Sequence, residues 1–172
     1  LHLLSRRQRQ MCIRDREKGL REACVHGPLA GYPVVNLKAV LYDGSYHPVD
    51  SSDMAFQTAA GIAYKEGLPT AGPTLLEPIG ELKVFIPDAN MGDIIGDLNK
   101  RRGRVMGMTP TADGDQIIEA EVPMAEMTSY AIDLRAMTQS RGSFVFHFVR
   151  YEDCPPAAQA KAIEAAKAMA EE

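Results

Sequence analysis

The sequence predicts an α+β chain in two parts: a short strand-and-helix unit, then a unit of ferredoxin-like βαββαβ order with a helix after it. Three observations carry this. Apolar and polar residues alternate over 115–122, where Ile118, Ala120 and Val122 interleave with Glu119 and Glu121, and again at Phe144, Phe146 and Phe148. Helix-compatible stretches at 91–102 and 124–138 sit between such runs. A cluster of Gly67, Pro69, Gly72, Pro73, Pro78 and Gly80 separates the two parts, and the boundary is expected at 78/79.

In order, residues 16–25 favour a helix, with Leu20 and Cys24 four apart on one face and Gly27-Pro28 as its stop. Residues 32–42 alternate, with Val35, Leu37, Ala39 and Leu41 on one side, and predict a half-buried strand. Asp43-Gly44-Ser45 then forces a turn, because Gly accepts positive φ and Asp and Ser hydrogen-bond their own turn backbone. Asp50 or Ser51 is expected to cap the next helix, with Asp53 in its positive first turn. Ala55, Ala59, Ile62 and Ala63 recur at helical spacing and would let that helix lie close on a sheet. Residues 74–77 read as a short strand before the break.

The second part reads as strand 82–87, helix 91–102, strand 103–109, strand 115–122, helix 124–138 and strand 143–150, with a hairpin turn at Asp113-Gly114. Gly92 and Gly96 would allow close helix-to-sheet packing. Pro155 and Pro156 open a last, Ala-rich helix within 154–172, whose apolar face is chiefly Ile163 and Met169.

Composition excludes several classes of function. No apolar stretch in the 172 residues approaches the ~18 of a membrane span, and residues 1–4 lack the core of a signal peptide. Cys12, Cys24 and Cys154 are scattered, which predicts neither disulfides nor zinc but reduced thiols in a cytoplasm. His2, His26, His47 and His147 lack metal-ligand spacing, so no metal is expected. No phosphate-binding Gly-rich loop occurs, so the chain is expected to be no enzyme by itself and to hold no cofactor.

The net charge of −4 is uneven: residues 1–16 carry five Arg against one Asp, and the remainder is acidic. Residues 5–15 resemble translated sequencing-adapter read-through, so 1–16 is read as a non-native segment and not as an RNA-binding arm. Any nucleic-acid contact must then be local. Gly44, Ser45, Tyr46 and His47, in the tip loop 43–48, offer a stacking ring and an imidazole that suit RNA, against the ordinary reading of a polar turn. Ser51 and Ser52 near His47 suggest a nucleophile and base, but no third group orients them, and a cap is the expected role. Lys100, Arg101, Arg102 and Arg104 form the one dense basic cluster beyond residue 16, where cations also complement a helix C-terminus by roughly 0.3–1 kcal/mol each. The phenylalanine strand is expected to pack in the core and not to stack bases.

The run from Leu41 to His47 with Val49 to Phe56, together with Gly27-Pro28-Leu29-Ala30-Gly31-Tyr32-Pro33-Val34-Val35, Leu76-Glu77-Pro78 and the stretch from Met91 to Gly103, resembles bacterial elongation factor G over about residues 17–152. The resemblance implies a partial βαβ-type domain IV at 17–78, a ferredoxin-like domain V at 79–153 and a C-terminal helix. It implies the ribosome-binding portion of a translational GTPase that promotes movement of transfer and messenger RNA. Tyr46 and His47, shaped by Gly44 and Ser45, would meet RNA of the small-subunit decoding region. Lys100, Arg101, Arg102 and Arg104 would face large-subunit RNA. GTP and magnesium would belong to the parent's GTPase domain, and the resemblance implies a cytoplasmic monomer.

Pro48, where an acidic residue is common, and residues 109–115 depart from the family pattern. They favour, as alternatives, a paralogue acting in ribosome recycling or another role. A free-standing ferredoxin-like regulatory module is the rival of a different class.

Overall fold

The computed structural model describes residues 6–45, 47 and 49–170. Its elements run α1 (Arg6–Ala23), α2 (Asp53–Gly67), β1 (Leu76–Pro87), α3 (Met91–Lys100), β2 (Arg104–Pro110), β3 (Asp115–Pro123), α4 (Tyr130–Met137), β4 (Ser143–Asp153) and α5 (Pro156–Ala170). The α+β class stands. Two compact units divide them: Leu75–Cys154 holds the sheet, and the flanking residues, with α1, α2 and α5, form the other.

In the helical unit α1 begins at Arg6 and not at residue 16, and its face continues inward through the buried Cys12 and the half-buried Arg16 to Gly19 and Leu20. At Gly19 the two helices touch backbone to backbone, for a Cβ there would lie 2.4 Å from the carbonyl oxygen of Gln57. The buried stripe of α2 is Phe56, Tyr64 and the following Leu68, spaced eight and four residues apart on one helical face, whereas Ala59, Ile62 and Ala63 are exposed. The expected face is displaced because α2 packs on α1 and not on a sheet.

Residues 32–42 are not a strand. Tyr42 is 96% exposed and Val40 72%, and Asn36 at φ 57° breaks the extended run. A strand needs a ladder to satisfy its amides and carbonyls, and the unit supplies no partner strand among the described residues. The segment is tied instead at its start, where the Val34 amide donates to the Cys24 carbonyl at 2.8 Å and the Gly27 amide to Tyr32 at 2.9 Å. In α5, Ile163 is half-buried and Met169 72% exposed.

The other unit is an antiparallel sheet of order β2-β3-β1-β4, with α3 and α4 on one face. Its core joins Leu82, Val84 and Ile86 of β1, Ile118, Ala120 and Val122 of β3, Ile94 and Leu98 of α3, and Tyr130 and Leu134 of α4. Each full burial of such a side chain is worth roughly 1.5–3 kcal/mol over exposure. Phe144 and Phe146 pack on this core, the former edge-on to Tyr130 at 5.2 Å between centroids, while Phe148 stays 52% exposed.

Central strand β1 runs unbroken through Pro78 and Gly80, in place of two strands at 74–77 and 82–87. Proline is tolerated because Pro78 pairs only with Tyr151 of β4, and pairing with β3 starts one residue later at Ile79. Gly80 lies where the β1–β4 register shifts, and a Cβ there would lie 2.3 Å from the Phe146 ring. Gly92 and Gly96 are exposed with open space at their Cβ positions, so close packing does not account for them. Helix α4 is shorter than expected, with a 3-10 turn at Met124–Met127 before it.

Candidate nucleic-acid interface

The tip loop follows from local chemistry. The Gly44 amide donates to the Asp43 carboxylate at 2.7 Å, closing the turn on itself. The Arg16 guanidinium stacks on the Phe56 ring at 4.4 Å from the centroid and fills the space beside Gly44, where a Cβ would lie 2.6 Å from Nη2. Gly44 and Ser45 are exposed. Tyr46 and Pro48 lie outside the described residues.

His47 is held at its backbone by Ser51. Its amide donates to Ser51 Oγ at 2.8 Å, and the Ser51 amide donates back to the His47 carbonyl at 3.0 Å. The cap of α2 is therefore one residue later than expected, with Ser52 Oγ accepting from the Ala55 amide at 3.2 Å. His47 Nδ1 stands 3.1 Å from Asp50 Oδ2, and the imidazole side chain is 65% exposed. The loop presents the imidazole to solvent, and among the described residues no nucleophile is hydrogen-bonded to the ring, as nucleophilic catalysis would require.

The basic cluster is mostly spoken for. Arg101 is 12% exposed and bonds Asp97 Oδ2 at 2.7 Å, Asp133 Oδ2 at 2.5 Å and the Glu126 carbonyl at 2.6 Å, over the face of Tyr130. Ser129 and then Arg101 hold the Asp133 carboxyl below its ordinary range, and burial raises the Tyr130 phenol well above its own. Arg102 meets both oxygens of Glu77 and reaches Glu126. Arg104 pairs with Glu121, which also takes two bonds from Arg150; together, Arg150 first, they draw the Glu121 carboxyl down to about 2.

Of the four basic residues predicted to face RNA, Arg101 and Arg102 therefore work inside the unit. Arg104 keeps 66% of its side chain exposed beside Glu121, and Lys100 has no ion-pair partner among the described residues. The structure does not bring this cluster and the tip loop into one unit. Asp97, four residues before Arg101, carried a helical pairing signal in the sequence. Glu77 and Glu121 carried none, because their partners are distant in the chain. Among the described residues no cluster of His, Cys, Asp and Glu is arranged to hold a metal, and no helix is long and apolar enough to cross a membrane.

The sheet unit has the βαββαβ order of a ferredoxin-like domain, and the helical unit carries an exposed histidine loop. Family models cover both units. The model of elongation factor G domain IV matches residues 10–72, and that of the elongation factor G C-terminus matches 74–162. The chain belongs to the elongation factor G family.

An elongation factor G-like protein of Thermotoga maritima is 50% identical over 148 residues, which are 86% of this chain and 22% of that protein. A crystal structure of a protein from Thermus thermophilus superposes with a TM-score of 0.78 at 41% identity, covering 91% of this chain and 24% of the other. The chain thus spans about a quarter or less of the length of these relatives.

Proposed function

We propose that this chain is the ribosome-binding C-terminal portion of a translational GTPase, and that the parent promotes movement of transfer and messenger RNA through the ribosome. The observation that carries the reading is the tiling of two adjacent elongation factor G models along 10–162, with the loop of the first ending in an exposed, backbone-braced His47. The tip enters the small-subunit decoding region, where Gly44 and Ser45 shape the approach and Tyr46 and His47 meet RNA. Lys100 and Arg104 are the residues whose charge reaches solvent for large-subunit RNA. Nucleotide chemistry, with GTP and magnesium, lies in the rest of the parent, which acts in the cytoplasm as a monomer.

A second reading, a paralogue acting in recycling or another role, is favoured by the name of the Thermotoga relative, which is elongation factor G-like, and by Pro48 in the tip. One paired measurement separates the two. In the full-length parent, His47→Ala is expected to slow single-round translocation while leaving ribosome-stimulated GTP hydrolysis in place. The unfolding free energy should stay within about 0.5 kcal/mol of wild type, as for other exposed sites. An unchanged translocation rate would move the reading to the paralogue.

A further inference from the structure

The His47 ring takes part in one hydrogen bond among the described residues: the Val49 amide, two positions on, donates to Nδ1 at 3.4 Å. Such local bonds between a side chain and nearby main chain are a common way to set a loop. An amide donates only to a bare nitrogen, so in this geometry neutral His47 carries its proton on Nε2. Asp50 Oδ2 stands 3.1 Å from the same Nδ1, as a counter-charge for the imidazolium and not as an oriented acceptor. Because Nδ1 faces the main chain, Nε2, across the ring, faces away from it, and the side chain is 65% exposed.

We propose that the Val49 amide selects the Nε2–H form of neutral His47, so that the tip presents a donor in both charge states of the ring, and that this donor meets an acceptor atom of an RNA base and not a phosphate. This deepens the RNA-facing reading of the tip and rests on it. The bond that one imidazole nitrogen makes fixes what the other can do. Protonation adds its proton at Nδ1, which then releases the Val49 amide and has Asp50 beside it, while Nε2–H donates before and after. The reciprocal bonds between His47 and Ser51 hold the main chain through this change. A donor suits either a phosphate oxygen or a base, and the charge of the loop decides between them. Asp43 and Asp50 are exposed in it and Asp53 follows in the first turn of α2, against Arg16 beside Gly44. Carboxylates within a Debye length repel a phosphate, whereas the carbonyl oxygens and ring nitrogens of a base carry no net charge. The splayed bases of single-stranded RNA expose those acceptors on their edges.

The test is nitrogen NMR of the 15N-histidine chain with the imidazole neutral. The larger share of His47 is expected as Nε2–H, and Val49→Pro, which removes the donor, should lower the Nε2–H to Nδ1–H ratio by roughly two- to fivefold. In the unsubstituted chain the Val49 amide should lose protection from exchange as the ring is protonated, a readout independent of how the loop takes the proline. A ring mainly protonated at Nδ1, a ratio unmoved by Val49→Pro, or Val49 protection indifferent to the charge of the ring overturns the proposal. Titration with a short single-stranded RNA should move the Nε2 resonance, and inorganic phosphate at the same phosphate concentration should not. A shift with phosphate alone, or none with RNA, overturns the base assignment. Translocation by the His47→Ala parent is read separately, so failure of the ribosomal reading leaves the tautomer result standing and is recognised as a different failure.

Discussion

Arg102 and Glu77 form a two-pronged ion pair, Nη1 to Oε1 at 2.8 Å and Nη2 to Oε2 at 2.7 Å, that joins the end of α3 to the start of β1. Arg102 makes it from a left-handed backbone at φ 59°, a position usually given to glycine. The helix end closes there, with the Gly103 amide donating to the Leu98 carbonyl at 2.7 Å and the Arg102 amide to Asn99 at 3.1 Å. The left-handed backbone costs about 1–2 kcal/mol in a residue with a Cβ, and the paired, largely buried Glu77 offsets it. Glu77→Ala is expected to destabilise the sheet unit by about 1–3 kcal/mol. Arg102→Gly, which relaxes the backbone but strands the Glu77 carboxylate, should also destabilise. Urea midpoints of both variants check this, and a more stable Arg102→Gly would mean that the pair contributes less than the strain.

Gly80→Ala should destabilise the same unit by about 1–3 kcal/mol, as overpacking of a filled core does. The new methyl would lie 2.3 Å from the Phe146 ring and 2.9 Å from the His147 carbonyl oxygen, which is backbone and cannot swing aside. The readout is the thermal midpoint together with the near-ultraviolet signal of the aromatic cluster. Gly96→Ala, with open space at its Cβ, is the control and should stabilise by up to about 1 kcal/mol through helix propensity.

At Gly19 the sign of the same substitution reverses. Propensity alone would favour Ala in α1 by about 1 kcal/mol. Contact forbids it, since the Cβ would meet the carbonyl oxygen, Cα and carbonyl carbon of Gln57 at 2.4, 2.6 and 2.8 Å. Gly19→Ala is expected to separate α1 from α2 and lower protection of their amides in hydrogen exchange. Unchanged protection would show that the helices do not cross at this glycine.

Acid should weaken the sheet unit in a defined window. The folded Glu121 carboxyl titrates near 2 against an ordinary 4.5, so below 4.5 the unfolded chain binds a proton that the folded one does not. The stabilisation is complete above 4.5, declines as pH falls, and is gone once pH passes through 2. Glu121→Gln should flatten that part of the stability profile and should cost stability at neutral pH, where Arg104 and Arg150 lose their shared partner. Denaturant melts across the acid range measure both, and parallel profiles for variant and wild type would count against the pairing.

The order of the sheet unit was legible in the chain because each element stated its own period: Ile118, Ala120 and Val122 alternate, and Ile94 and Leu98 recur at helical spacing, whatever lies beside them. The tip loop was legible for the same reason, since Asp43 and Gly44 specify their turn locally. What failed was whatever depended on a neighbour. Residues 32–42 have the alternation of a strand but no ladder to join, and Pro78 looked like a boundary until β3 proved to begin pairing just beyond it. The basic cluster shows the same dependence: the sequence shows four cations, and only the fold delivers Glu77, Asp133 and Glu121 as partners of Arg102, Arg101 and Arg104, the last of which stays largely exposed. Period and turn chemistry are properties of adjacent residues and are fixed by the chain alone. Ladder partners, ion pairs and the open side of an imidazole join residues far apart in the sequence or depend on the path the backbone takes, so only the tertiary structure decides them.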